Sequence, residues 1–322
     1  MIPPKEKLTI CFAHVAYQFR QRFLARQTGI KSFEVRDRAE LDRRIGEVDV
    51  LVVSGLWRND LPELAPRLRF IQSASAGVDQ YAREKLAANG IRLASAQGVN
   101  ARAVSEHAIA LILALSRRLP EARDNQAKHF WRGMIGDLTR REDELGGKTL
   151  LIVGLGRIGG CLAALAKAFD LRVLGVKRNP DTGGEGVESV HGLDELKDLL
   201  PQADFVALTC PLTQETANII DADAIARMKP SAFLINVARG RCVNEAALVA
   251  ALQEGKIAGA GIDVTTEEPL PASSPLWDLP NALITPHTAG ETRRYEDNVI
   301  DILIENLDRL WQDDGILRNQ IV

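Results

Sequence analysis

The sequence predicts an α/β protein with two domains, because short apolar runs of strand length alternate with helical patterns along almost the whole chain. The chain has 322 residues, which is about twice the usual length of a single domain. Its 40 Lys and Arg are balanced by 43 Asp and Glu. This balance gives no reason to expect a surface for nucleic acid or for an anionic membrane.

The first hundred residues predict four strands, with the sequences LTICFAH, VDVLVVSG, LRFIQSA and IRLASA. The second and third are apolar enough to be covered on both faces, as in a parallel sheet. The spacing of Val104, Ala108 and Leu111 then predicts a long helix between Asn100 and Pro120, with Asn100 as its N-cap.

A second series of six strands follows, with the sequences TLLIVG, LRVLGV, DFVALTC, AFLINVA, AGAGIDV and NALITPH. Six strands in series are typical of a nucleotide-binding sheet. The last segment, from Glu291 to Leu310, has a helical pattern and is expected to return to the first domain. We therefore predict a substrate domain of residues 1–98 and 291–322, and a dinucleotide-binding domain of residues 99–290.

The four cysteines, Cys11, Cys161, Cys210 and Cys242, are far apart and mostly lie in apolar runs. This pattern is typical of buried thiols in a reducing compartment. No stretch reaches the roughly 18–20 apolar residues of a membrane span, and the first apolar run lacks a signal-peptide cleavage site. We expect a cytoplasmic protein, and no metal site is predicted.

The motif GLGRIG, at 154–159, follows a predicted strand and opens a helix of small residues. In that context Gly154 permits a tight turn, Gly156 lets the backbone approach a pyrophosphate, and Gly159 lets helix and strand pack closely. The helix N-terminus adds amide donors for phosphates. The predicted contacts are Gly154, Leu155, Gly156, Arg157, Ile158 and Gly159; the alternative is a glycine-rich βα turn without a ligand.

The strand VLGV ends on Lys177 and Arg178, where a dinucleotide site usually carries an acid for the adenosine ribose. No acid occurs between Leu171 and Pro180. A carboxylate would repel a 2′-phosphate, whereas two cations would bind it. This favours NADP(H), with NAD(H) possible, and the alternative is a solvated strand end.

Three later motifs, NVARG, DVTTEEP and TPHTAG, each end an apolar run and offer a guanidinium, a carboxylate and an imidazole. Together with SASAGVD, GVNARAVSEHA, GLGRIG and LTCPLTQET they form an ordered set over almost the whole chain. In this set the sequence resembles the D-isomer-specific 2-hydroxyacid dehydrogenases, a family that includes glyoxylate/hydroxypyruvate reductases and the catalytic part of phosphoglycerate dehydrogenases. The resemblance implies a Rossmann domain, a discontinuous flavodoxin-like substrate domain and a homodimer.

By that resemblance Arg239, Glu268 and His287 are the catalytic residues, and Asp263 contacts the nicotinamide end. Reduction of a 2-ketoacid needs a group that holds its carboxylate, which a guanidinium does, and a proton donor, which the imidazole is. The backbone amides of Ser75, Ala76 and Gly77 are expected to bind the substrate carboxylate. Further cofactor contacts are expected at Thr209, Cys210, Pro211, Thr216, Val237, Ala238 and Gly290.

The sequence also singles out Trp57, His107 and Thr265. Trp57 follows a strand and is a candidate for the substrate pocket, although core packing explains it equally well. His107 is interpreted as a structural interdomain histidine. Thr265 stands where many relatives have an aromatic residue, which leaves the shape of the pocket open.

The sequence therefore predicts NADPH-dependent reduction of a small 2-ketoacid, with glyoxylate or hydroxypyruvate as the favoured substrates. One alternative is a dinucleotide-sensing binding protein, such as the transcriptional corepressors that share this fold. Another is an NAD-dependent enzyme of the same family, such as a phosphoglycerate dehydrogenase. An enzyme that oxidises formate or phosphite is a further alternative, and Glu268 argues against the formate branch.

Overall fold

The computed structural model describes residues 2–312 and 315–322. The contacts divide the chain into two compact units. The first consists of Met1–Asn100 and Thr292–Val322, and the second of Ala101–Glu291. Among the described residues, every helix is too short or too polar to cross a bilayer.

Each unit is built on one parallel sheet. The strands of the first unit are β1 (Thr9–Ala13), β2 (Lys31–Val35), β3 (Val50–Val53), β4 (Phe70–Ser73) and β5 (Arg92–Ala94). Those of the second are β6 (Thr149–Val153), β7 (Arg172–Val176), β8 (Ser189–His191), β9 (Phe205–Leu208), β10 (Phe233–Asn236), β11 (Gly259–Ile262) and β12 (Ala282–Ile284).

α-Helices connect most of the parallel strands. The connections from β7 to β8 and from β11 to β12 contain only a short 3₁₀-helix each, Pro180–Thr182 and Pro275–Asp278. The first unit contains α1 (Phe19–Ala25), α2 (Arg38–Arg44), α3 (Leu61–Leu64), α4 (Arg83–Ala88) and, after the second unit, α11 (Tyr295–Trp311). The second contains α5 (Ala101–Ser116), α6 (Leu119–Ala127), α7 (Arg157–Lys167), α8 (Leu196–Leu199), α9 (Ala222–Arg227) and α10 (Glu245–Gln253).

The strand orders confirm the predicted α/β class. The first sheet has the order β2-β1-β3-β4-β5, which is that of flavodoxin-like folds. The second has the order β12-β11-β10-β9-β6-β7-β8, which contains the Rossmann arrangement with its switch of direction beside β6. Loops that follow β6, β7, β9, β10, β11 and β12 consequently leave from one edge of the second sheet.

The core of the second unit explains why its strands read as continuous apolar runs. Leu150 and Ile152 of β6 face a cluster with α5 and α7, while Leu151 and Val153 face a cluster on the other side of the sheet. Alternate residues of one strand thus enter two cores, because successive side chains point to opposite faces. Both faces are buried, and the carboxyl edge of the sheet is left for ligands.

Two strands and one cap differ from the prediction. β2 is an edge strand with partly exposed polar residues, and β8 has only three half-buried residues; neither gives the continuous apolar signal of the central strands. Helix α5 begins at Ala101, but the buried Oδ1 of Asn100 has no hydrogen-bond partner among the described residues. The prediction of Asn100 as an N-cap is therefore wrong, since a cap must accept an amide of the first turn.

Candidate active site

The glycine loop after β6 has the shape that a dinucleotide pyrophosphate requires. Gly154 has φ +108°, and a β-carbon there would lie 2.5 Å from the backbone nitrogen of Cys210. A β-carbon on Gly159 would lie 2.3 Å from the carbonyl oxygen of Gly154. A β-carbon on Gly156, by contrast, would meet no atom within 4 Å. The turn is therefore closed on its inner side and open at Gly156. Because Gly156 directly precedes the N-terminus of α7, the loop fits a pyrophosphate.

The loop after β9 is tied to this turn. The Thr209 hydroxyl donates to the carbonyl oxygen of Gly154 at 2.7 Å. Further along, the Thr216 hydroxyl donates to the carbonyl oxygen of Pro211 at 2.6 Å and accepts from the amide of Thr213 at 2.7 Å. Both threonines are buried. The segment from Thr209 to Thr216 is thus held in one conformation at the carboxyl edge of the sheet.

Cys210 lies in this segment and is a packing residue. Its thiol is buried and free, and a hydrogen bond with Cys242, together with burial, raises the pKa of the Cys210 thiol. A thiol that holds its proton is a poor nucleophile. The buried thiol agrees with the expectation that the cysteines lie inside the protein.

Lys177 and Arg178 lie directly beside the glycine turn, because the amide of Gly154 donates to the carbonyl oxygen of Val176 at 2.7 Å. The Lys177 ammonium donates to the carbonyl oxygen of Gly183 at 2.9 Å. Nε of Arg178 lies 3.0 Å from Oε2 of Glu215, and these side chains are 68% and 55% exposed. Arg178 is therefore exposed and already has a carboxylate partner, whereas Lys177 is partly buried.

The imidazole and carboxylate of the predicted catalytic set form a pair. Nδ1 of His287 lies 2.7 Å from Oε2 of Glu268, and Oε1 of Glu268 accepts from the amide of Thr265 at 3.1 Å. A carboxylate only accepts, so Nδ1 of His287 carries a proton. Nε2 has no hydrogen-bond partner among the described residues, and about half of the imidazole side chain, 48%, is exposed. This nitrogen is free to meet a ligand.

Arg239 follows β10 in a loop that packs on the glutamate segment. Its Nη1 donates to the carbonyl oxygen of Ala238 at 2.7 Å, and the Asn236 amide donates to the carbonyl oxygen of Arg239 at 3.1 Å. A β-carbon on Gly240 would lie 2.0 Å from the carbonyl carbon of Thr265. Only glycine permits this approach, which brings the loops that carry Arg239 and Glu268 into backbone contact.

Asp263 holds the histidine segment. Its carboxylate is buried at 3% exposure and accepts from the Thr285 hydroxyl at 2.6 Å, the Thr288 amide at 3.0 Å and the Ala289 amide at 3.1 Å. Its carbonyl oxygen accepts from the amide of His287 at 2.8 Å, and His287 itself has φ +55°. Asp263 thus fixes the backbone on both sides of His287, a role that the sequence did not indicate.

His107 joins the same network. Its Nε2 lies 2.9 Å from the hydroxyl oxygen of Thr285. Because the Thr285 proton is donated to Asp263, this oxygen accepts from His107. The sequence indicated a structural interdomain role for His107, and its partner Thr285 lies in the same unit of the chain. The contribution of Thr285 was not predicted, and its only signal was its place in the TPHTAG motif.

The remaining predicted residues have simpler surroundings. Trp57 is buried, its ring centroid lies 5.0 Å from that of Tyr81, and its indole N–H donates to Asn59 at 2.9 Å; these contacts support the packing alternative. Val237 and Ala238 are buried after β10, and Gly290 is partly buried after the histidine segment.

The SAG turn lies in the first unit after β4. The Ser75 amide donates to the Ser73 hydroxyl at 3.1 Å, and the Tyr295 hydroxyl donates to the carbonyl oxygen of Ala74. The amides of Ala76 and Gly77 have no acceptor among the described residues. The turn is thus anchored from α11, and two of its amides remain available.

A Rossmann sheet with a closed glycine turn and with an imidazole, a carboxylate and a guanidinium at its carboxyl edge defines a dinucleotide-dependent oxidoreductase fold. The sequence model of the "D-isomer specific 2-hydroxyacid dehydrogenase, NAD binding domain" matches residues 109–289. The chain belongs to that family, which confirms the resemblance found in the sequence motifs.

Three relatives illustrate the range of the family. The chain is 36% identical to a glyoxylate reductase of Korarchaeum cryptofilum over 76% of this chain and 74% of the relative. It is 35% identical to glyoxylate/hydroxypyruvate reductase B of Yersinia pestis over 92% of both. It is also 35% identical to a D-3-phosphoglycerate dehydrogenase of Mycobacterium leprae, over 85% of this chain but 51% of that protein.

A solved structure adds a cofactor to this comparison. The NADPH-dependent glyoxylate/hydroxypyruvate reductase of Sinorhizobium meliloti, in complex with NADP and malonate, superimposes with a TM-score of 0.81. It is 28% identical, and the match covers 98% of this chain and 97% of that one.

Proposed function

We propose that this protein reduces a small 2-ketoacid, glyoxylate or hydroxypyruvate, to the D-2-hydroxyacid and prefers NADPH. The observation that carries the proposal is the His287–Glu268 pair, which leaves Nε2 of the imidazole free at the edge that also carries Arg239 and the glycine loop. Two of the relatives are named as reductases of these ketoacids, and a similar structure holds NADP.

Each group has a role that follows from its chemistry. Arg239 binds the substrate carboxylate through its planar guanidinium, and the amides of Ala76 and Gly77 contribute further donors. The third predicted donor, the amide of Ser75, is already engaged by the Ser73 hydroxyl. His287 donates the proton of Nε2 to the ketone oxygen. Glu268 keeps Nδ1 protonated, orients the ring and pairs with the positive charge of the imidazolium.

The bound nicotinamide supplies the hydride. The turn from Gly154 to Gly159 and the N-terminus of α7 bind the pyrophosphate, and Lys177 and Arg178 bind the 2′-phosphate. The loop from Thr209 to Thr216 lies along the adenosine, and Asp263 with Val237, Ala238 and Gly290 forms the nicotinamide end. The first unit serves as the substrate domain and the second as the dinucleotide domain.

A homodimer is part of the proposal. The described residues of α6 and the segment after it expose several large apolar side chains, namely Leu119, Phe130, Trp131, Met134 and Leu138. Such a patch on a monomer marks an interaction surface. Light scattering on the purified protein tests this, and a monomeric mass at micromolar concentration would contradict it.

Location in the cytoplasm stays a prediction.

Initial rates of nicotinamide oxidation test the activity. Hydroxypyruvate, glyoxylate and pyruvate are each measured with NADPH and with NADH, and 3-phosphoglycerate is measured with NAD⁺. We expect fast turnover of hydroxypyruvate or glyoxylate with a preference for NADPH. Faster oxidation of 3-phosphoglycerate would favour the phosphoglycerate dehydrogenase alternative, and tight dinucleotide binding without turnover would favour the sensor alternative.

A further inference from the structure

An acid is present at the ribose end of the dinucleotide site, but it comes from a different loop than usual. Lys177 and Arg178 directly follow the strand β7, and no acid lies between Leu171 and Pro180. Glu215, in the loop after β9, places Oε2 3.0 Å from Nε of Arg178. Strands β6, β7 and β9 are adjacent in the sheet, so this carboxylate lies at the edge where the adenosine ribose binds.

The backbone around Glu215 is fixed, while its side chain is not. The neighbouring Thr216 is buried and hydrogen-bonded on both sides, to Pro211 and Thr213. Glu215 and Arg178 are both more than half exposed, and exposed ion pairs are weak and exchange partners readily. The carboxylate is thus held near Arg178 but can be replaced as its partner by a stronger anion.

We propose that Glu215 sets the cofactor preference by competing with the 2′-phosphate for Arg178. With NADP(H), Arg178 must leave Glu215 to bind the phosphate, and the remaining carboxylate repels that phosphate. With NAD(H), Glu215 accepts hydrogen bonds from the ribose hydroxyls, as the usual acid of the second strand does. The inference rests on the proposed dinucleotide-dependent function and adds to it the residue that limits selectivity for NADPH.

The test is a fluorescence titration of the purified protein and of Glu215→Gln with NADPH and with NADH. Because exposed ion pairs are weak, removing this carboxylate should lower the Kd for NADPH by about 1.4- to fivefold. The Kd for NADH should rise, because an amide is a weaker partner for the ribose hydroxyls. Titrations with adenosine 2′,5′-bisphosphate and with AMP should show the same opposite shifts, which places the effect at the adenosine end.

The matched control is Glu254→Gln. Glu254 forms a similarly exposed pair with Lys256 at 2.7 Å, with 59% and 58% of the Lys256 and Glu254 side chains exposed. Glu254 follows α10 and precedes β11, so it lies at the amino-terminal edge of the sheet, opposite the carboxyl edge that carries Glu215. This variant should leave the Kd for both dinucleotides unchanged.

If the ratio of the Kd for NADPH to the Kd for NADH is unchanged in Glu215→Gln, the inference is overturned. It is also overturned if Glu254→Gln shifts the two Kd values as much as Glu215→Gln does. Because the titration measures binding, it gives its answer even if the protein reduces no 2-ketoacid. A failure of the proposed activity would therefore appear in the rate assays alone, and a failure of the present inference in the Kd ratio alone.

Discussion

The two ends of the candidate site are built in opposite ways. At the catalytic end Asp263 is buried with three hydrogen bonds to its carboxylate, and His287 and Glu268 hold each other at 2.7 Å. At the ribose end Arg178 and Glu215 are long, exposed side chains joined by a single ion pair. If the proposed function holds, the chemistry depends on the fold, whereas the choice of cofactor depends on exposed charges and can be changed separately.

A second comparison shows which feature of the catalytic end matters. His191 and Glu195 form another imidazole–carboxylate pair at 2.9 Å, and hydrogen bonding by His191 lowers the pKa of Glu195. There Nε2 of the imidazole is also engaged, at 2.8 Å from the Ser189 hydroxyl. A His–Glu pair is therefore no sign of catalysis by itself. In His287 the second nitrogen remains available for a substrate.

The largest effect is expected for Arg239→Gln. Loss of two charge-assisted hydrogen bonds, at about 1.5–3 kcal/mol each, should lower kcat/KM for the 2-ketoacid by about 10²- to 10⁴-fold. Steady-state kinetics measure this change. Arg241→Gln, two residues along in an exposed position, is the control and should keep kcat/KM. Similar losses in both variants would contradict the role of Arg239.

The second largest effect is expected for Asp263→Asn. The side-chain amide of the new asparagine places a donor against the backbone amides of Thr288 and Ala289, which loosens the backbone around His287. We therefore expect kcat to fall by about 10- to 100-fold and the free energy of unfolding to fall by about 1–3 kcal/mol. Kinetics and thermal unfolding are measured together.

Asp204→Asn is the control for this change. The Asp204 carboxylate accepts from the Thr149 amide and from Lys229, both at 2.8 Å, but lies at the amino-terminal edge of the sheet. Its variant should lose stability and keep kcat. If kcat fell in proportion to stability in both variants, Asp263 would have only a structural role.

At the ribose end, Lys177→Asp combined with Arg178→Ala should lower kcat/KM with NADPH by about 10- to 100-fold relative to NADH, because charge-assisted bonds to the phosphate are lost. Arg172→Ala, at the start of the same strand β7, should leave the ratio unchanged. Equal losses with both cofactors would show that Lys177 and Arg178 do not bind the 2′-phosphate.

The smallest effect is that of salt. Raising the ionic strength shortens the Debye length from about 10 Å at 0.1 M to about 3 Å at 1 M and screens exposed charges. The KM for NADPH should therefore rise by roughly threefold over this range, while that for NADH changes little. A salt effect of the same size on both cofactors would show that exposed cations do not distinguish them.

The sequence predicted those parts of the molecule that local patterns encode. The strands β6 and β10 are apolar throughout, and the glycine loop and the segments of Arg239, Glu268 and His287 carry their chemistry in a few adjacent residues. The edge strands β2 and β8 were missed, because half-buried strands lack that continuous pattern. The N-cap at Asn100 was wrong because residue type alone does not fix the direction of a side chain.

Contacts between distant residues were beyond the reach of the sequence. Glu215 meets Arg178 across 37 positions, and His107 meets Thr285 across 178. Each residue is ordinary in its own segment, and only the order of the strands brings the partners together. The loop-fixing role of Asp263 is of the same kind, since its hydrogen bonds form only when β11 and β12 pair.

The role of His287 as proton donor is tested most directly by a single turnover of hydroxypyruvate by protein saturated with NADPH, with the Kd for NADPH determined on the same samples. The unmodified protein, His287→Gln and His191→Gln are compared. We expect His287→Gln to slow the turnover by about 10²- to 10⁴-fold at an unchanged Kd, and His191→Gln to change neither quantity. Turnover at the unmodified rate in His287→Gln would contradict the assignment of His287 as the proton donor. A large loss of NADPH affinity in the same variant would contradict the independence of the catalytic end and the ribose end.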